Sequence, residues 1–164
     1  MKMGAPKTIT EELMNKIYQM YDSGMINEIT LQSIVNKAKP LACIEPVHYE
    51  YIMGAVACLR KDETSMRKCY NRVLTNHPDI PESHYNFALS LYKINKYLEA
   101  LHQVNIALNL QPDYEPAQNL KKNIEDHIEK QMWDGIENDT EESLLSFCAN
   151  TTMALEKNDS CEVQ

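Results

Sequence analysis

The fold this sequence predicts is an all-α solenoid of antiparallel helix hairpins. Three observations lead to it. The chain repeats itself with a period of 34 residues between 47–80 and 81–114. Within each period the apolar residues fall three and four apart, which puts them on contiguous helix faces. Only 4 of the 164 residues are Gly, and prolines stand at the ends of the periods, where a residue without an N–H stops a helix. The composition, 43% hydrophobic and 24% charged, is that of a packed globular chain rather than a disordered one.

The elements follow in order. Residues 1–9 form a flexible N-terminus. Residues 10–46 read as a degenerate first hairpin. Thr8 or Thr10 caps a helix through Leu13, Ile17, Met20 and Tyr21, with Glu11 and Glu12 in its first turn. Ser23-Gly24 makes the turn, and a second helix runs through Ile29, Leu31, Ile34, Val35 and Ala38 to Pro40.

The two good copies, 47–80 and 81–114, share five identical pairs at the 34-residue offset: Tyr51/Tyr85, Asn71/Asn105, Leu74/Leu108, Pro78/Pro112 and Asp79/Asp113. In the second copy, Tyr85, Leu89 and Tyr92 mark one helix, and Tyr97, Leu101, Val104 and Leu108 mark the next, with a polar break at Asn95-Lys96. Residues 115–131 form a half repeat, a capping helix striped by Ala117, Leu120, Ile124 and Ile128. It covers an apolar side that the last hairpin would otherwise expose.

Residues 132–164 carry eight acidic groups against Lys157 alone. Nearly all of the chain's net charge of −8 therefore belongs to this tail. A short amphipathic helix from Thr140 to Leu155 and a solvated acidic tail are its two readings.

The repeat resembles the tetratricopeptide repeat. That pattern places small residues where two helix backbones approach, filled here by Gly54, Ala88, Ala100 and Ala107, while Met66 departs from it and Val73 stands at the third small position of the first copy. Tyr70 and Val104 stand at its bulky position, and Pro78 and Pro112 at its closing proline. The resemblance implies an interaction module whose first helices line a concave groove. The groove residues it implies are Tyr51, Ala55, Leu59, Tyr85, Asn86, Leu89 and Tyr92. Tyrosines supply large contact area at little entropic cost, which suits an extended peptide segment of another protein.

Some members of that family clamp a partner's terminal carboxylate with Lys, Arg and Asn. Only Asn86 matches. Tyr51, Ala55, Pro116 and Leu120 occupy the other positions, so an acidic chain end finds no cations here.

The layout of an irregular N-terminal hairpin, further repeats, a closing helix and a tail also resembles the translocator chaperones of type III secretion. The fragments Tyr18-Gln-Met-Tyr-Asp-Ser-Gly24 and Tyr51-Ile-Met-Gly54 stand at comparable places. This second resemblance implies a cytoplasmic chaperone that holds a secreted protein's segment extended. The competing class is a scaffold or regulatory adaptor working through its convex face or acidic tail. Self-association stays open.

No catalytic set stands out. His48, His77, His84, His102 and His127 form no metal-ligand pattern, and there is no Gly-x-Ser-x-Gly or Gly-rich phosphate loop. The expectation is a non-enzymatic protein with no cofactor and no metal. An acidic pI of about 5.1 argues against nucleic acid as partner. The apolar runs fall short of the about 20 residues of a membrane span, and the first ten residues show no secretory signal. Five cysteines without short pairing fit a reducing cytoplasm.

Overall fold

A computed structural model describes residues 8–131 and 133. The described residues hold helices and no strand. The helices are α1 (Ile9–Ser23), α2 (Glu28–Ala38), α3 (Leu41–Ile44), α4 (Pro46–Leu59), α5 (Glu63–Asn76), α6 (Pro81–Lys93) and α7 (Tyr97–Leu110). An eighth, α8, begins at 115. The chain divides into two compact units, Met1–Ile124 and Glu125–Gln164. In the second, the described residues 125–131 and 133 are helical. The tail helix expected from Thr140 to Leu155 lies outside the described residues.

Local chemistry sets each helix start. Thr8 closes a capping box on α1: its hydroxyl accepts from the Glu11 N–H at 3.2 Å, and its own N–H donates to Glu11 Oε2 at 3.1 Å. Thr10, the other candidate cap, instead sits inside the helix and donates to Glu45 Oε2 at 2.9 Å. Asn27 and Asp62 cap α2 and α5 through the N–H groups of Thr30 and Ser65. α4 and α6 begin on Pro46 and Pro81, whose missing N–H costs nothing at a first helical position.

The turns are equally local. α1 ends at Gly24 with φ 65°, a left-handed conformation that glycine reaches without strain. Lys61 and Asn95, 34 residues apart, both adopt positive φ in the α4–α5 and α6–α7 turns. Neither is Gly, and the repeat thus returns in the backbone conformation as well as in the sequence. The short α3 fills the extra residues between the first hairpin and the second, an element the sequence spacing hints at only as a longer gap.

The core begins with Leu13, Ile17 and Met20 of α1 against Leu31 and Ile34 of α2 and Ile52, Val56 and Leu59 of α4. It continues through Met66, Tyr70 and Val73, then Phe87, Ala88 and Leu91, then Ala100, Val104 and Ala107, to Ala117, Leu120 and Ile124. Small residues set the helix separations. The Tyr70 ring lies directly over Gly54, where a Cβ would stand 2.7 Å from Tyr70 Cε2. The same ring stacks on Phe87 at 5.1 Å between centroids, linking the hairpin of α4 and α5 to α6.

Ion pairs tie the outer surface. Arg67 bridges Glu63 and Glu99, joining α5 to α7. Arg72 pairs with Glu50, and Arg60 with Glu28. These groups are solvent-screened, so each pair contributes about 0–1 kcal/mol. The hairpins are held mainly by buried apolar surface.

Candidate interaction groove

The seven residues implied by the repeat pattern divide into two groups. Tyr51, Ala55, Leu59 and Asn86 are buried. Tyr85, Leu89 and Tyr92 are half-buried. α1 accounts for part of the difference, because it packs beside α4 and reaches α6. Tyr18 donates its hydroxyl to Asn86 Oδ1 at 3.3 Å. Tyr21 donates to the Ala55 carbonyl at 3.2 Å, and its hydroxyl lies 3.5 Å from Ser90 Oγ. Lys93 Nζ donates to the Tyr21 carbonyl at 3.2 Å, with its charge 5.5 Å from the centre of the Tyr21 ring. Lys93 therefore satisfies a carbonyl in the last turn of α1, where a cation also complements the helix dipole.

Two pairs of buried hydroxyls join α4 and α5 to α6. Tyr51 and Ser83 share a hydrogen bond of 2.6 Å, and Tyr70 and Ser90 one of 2.9 Å. The Cys58 thiol donates to the Ser90 carbonyl at 3.4 Å. Among the described residues no buried side-chain polar atom lacks a partner, as a stable polar core requires. Burial pushes the Tyr51 phenol up to about 12, against the bond from Ser83, with the Glu82 charge adding to the rise. Burial likewise raises the phenols of Tyr18, Tyr21, Tyr70 and Tyr114.

The half-exposed strip occupies one face of α6. Tyr85, Leu89 and Tyr92 are spaced four and three residues apart, so their side chains follow one another along the helix. Tyr85 meets Tyr114 edge-on at 5.4 Å between centroids. Tyr92 approaches Tyr97 at 5.7 Å. The strip thus meets Tyr114, just ahead of α8, through Tyr85.

Tyr18, Tyr21, Ser83 and Ser90 complete the arrangement. No groove position of the repeat pattern singles them out. The available signal was the pair Tyr18 and Tyr21, three apart on one helix of the irregular first hairpin.

The histidines are structural where the geometry defines them. His84 Nε2–H donates to the Pro78 carbonyl at 2.9 Å, and Nδ1 lies 2.9 Å from the Gln103 side chain. His84 therefore fastens α6 to α7 and to the preceding turn. Among the described residues no group of three His, Cys, Asp or Glu side chains could hold a metal ion. Cys43, Cys58 and Cys69 are free thiols. No described helix is long and apolar enough to cross a membrane.

The family described as Fis1 C-terminal tetratricopeptide repeat matches residues 81–133. The match begins with α6, includes α7 and continues beyond the start of α8. No curated protein sequence matches the chain. Proteins of tetratricopeptide type generally mediate protein–protein interaction. The family match and the consecutive helix hairpins together establish that this chain has a tetratricopeptide-repeat-like fold.

Proposed function

We propose that the protein is a non-enzymatic binder of an extended peptide segment of another protein, acting in the cytoplasm as a chaperone of a secreted, translocator-like partner. The observation that carries this reading is the half-exposed strip Tyr85, Leu89 and Tyr92 beside α1. Side chains of this kind offer apolar area plus hydroxyls that tolerate water, which suits a segment whose backbone must stay extended. Tyr51, Ala55, Leu59 and Asn86 are buried, and Asn86 and the Ala55 carbonyl accept from Tyr18 and Tyr21 of α1.

The test is partner capture with Tyr85→Ala and Tyr92→Ala, after circular dichroism has shown both variants folded. Each truncation weakens capture by about 2 kcal/mol if these rings are anchors, and the loss persists at moderate salt because apolar burial is little screened. Full retention of the partner moves the site elsewhere. A scaffold working through the outer surface is the second reading. It is favoured by Leu98, which is 74% exposed beside a cleft that also involves Phe87 and Leu91. Loss of capture with Leu98→Asp and not with the tyrosine variants selects that reading.

A further inference from the structure

Two tyrosine pairs bound the half-exposed strip of α6. At one end Tyr85 meets Tyr114 edge-on at 5.4 Å between centroids, and at the other Tyr92 approaches Tyr97 at 5.7 Å. Leu89 stands between the pairs in sequence, and all five residues keep part of their surface exposed. Tyr85 and Tyr92 are seven residues apart, close to two full turns. Their side chains therefore leave one face of the helix about 10.5 Å apart along its axis.

The Tyr85 end also offers hydrogen-bond donors. Among the described residues neither Tyr85 nor Tyr114 gives its hydroxyl to a partner, and no buried side-chain polar atom is left without one. Both hydroxyls therefore reach solvent, and each can donate to an incoming carbonyl oxygen. Burial raises both phenols, with the Asp22 charge adding at Tyr85 and the Glu82 charge at Tyr114. Both stay protonated, and so remain donors, at neutral pH. Asp22 and Glu82 are exposed, which makes this end acidic. Lys93, in the last turn of α6, is already held at the Tyr21 carbonyl.

Spacing and donors together select one backbone form for a ligand. A β-strand repeats its side chains on one side about every 6.6 Å, which fits the interval along α6 at neither one step nor two. A helix satisfies its own carbonyls and would leave the two phenols nothing to donate to. A polyproline II helix has no internal hydrogen bonds, and its three-residue turn advances about 9.3 Å. One such turn matches the interval between the tyrosine pairs to within about 1.2 Å, and every carbonyl of it is free to accept.

We propose that the strip recognises a proline-rich segment of another protein in the polyproline II conformation. One turn of the segment lies between the two tyrosine pairs, the Tyr85 and Tyr114 hydroxyls donate to its carbonyls, and a basic residue flanks the prolines near Asp22 and Glu82. This deepens the peptide-binding reading and rests on it for the strip being the site. Prolines pack against aromatic rings and arrive already ordered, so little chain entropy is lost on binding.

The experiment uses the full chain and defined peptides, each N-acetylated and C-amidated. A peptide of six prolines between two arginines is titrated while the ring signals of Tyr85, Tyr92, Tyr97 and Tyr114 are followed by NMR. Saturable shifts are expected. A peptide with alternating glycine and serine in place of the prolines should bind at least about tenfold more weakly, because it is not ordered in advance. Glutamates in place of the arginines should weaken binding by about threefold at low salt. Tyr85→Phe keeps the ring and removes the donor; with the circular dichroism spectrum unchanged, it should weaken the proline peptide by about fivefold.

Absence of a saturable response, equal binding of the glycine–serine peptide, or an unchanged titration in Tyr85→Phe overturns the proposal. Equal or tighter binding of the glutamate-flanked peptide overturns the basic flank. Partner capture reads the two ideas separately. Capture lost in Tyr85→Ala and Tyr92→Ala, with no response to the proline peptide, overturns the polyproline assignment alone. Capture retained in those variants overturns the site on which it rests.

Discussion

Gly54→Ala sets two well-known effects against each other, and its sign tests the packing of the repeat. Replacing a mid-helix glycine by alanine normally stabilises by about 1 kcal/mol. Here the added Cβ would stand 2.7 Å from Tyr70 Cε2 and 2.9 Å from Tyr70 Cζ, against an ordinary carbon–carbon separation of about 3.5–4.0 Å. The ring cannot swing into solvent, since Tyr70 is 1% exposed, stacked on Phe87 and bonded to Ser90 at 2.9 Å. Overpacking of this kind costs about 1–3 kcal/mol, and a strained Tyr70–Ser90 bond adds up to about 1 kcal/mol.

The net expectation is a loss of about 1–2 kcal/mol, read by urea denaturation, and a Tm lower by about 2–8 °C for a chain of this size. A double variant with Tyr70→Leu, which removes the obstructing ring edge, should lose less than the two single changes summed. A rise in stability for Gly54→Ala, or strict additivity with Tyr70→Leu, would refute the close approach of α4 and α5 at this point.

Two further expectations concern the tyrosines. Burial raises several phenols above their usual value, Tyr51 to about 12. A folded-state value above the unfolded one means that the stabilisation is complete below about pH 10 and is lost as pH rises through the folded value. Urea midpoints should therefore stay flat as far as Tyr51 is concerned through pH 9 and fall between pH 10 and about 12. A folded protein whose 9 tyrosines all ionise together near pH 10, followed by phenolate absorbance, would contradict the burial. Lys93→Met removes the bond to the Tyr21 carbonyl and the charge near its ring. Hydrogen exchange should then quicken in the last turn of α1 with α7 unchanged, and unaltered exchange in α1 would show that Lys93 does not hold that helix end.

The sequence by itself determined what depends on neighbours along the chain. The period, the proline and glycine stops, the capping residues and the alternation of small and bulky positions specify helix hairpins, because helix starts, turns and faces are decided over three to five residues. Tyr85, Leu89 and Tyr92 could be put on one face for the same reason. The tertiary structure decided which of the positions expected to line a groove stay partly exposed. The burial of Tyr51, Ala55, Leu59 and Asn86 depends on side chains distant in sequence. Tyr18 meets Asn86, Tyr21 reaches the Ala55 carbonyl, and Tyr51 finds Ser83. Local periodicity fixes the direction of a side chain from its own helix, whereas the partner it meets is set by how separate helices pack, and that is a property of the assembled core.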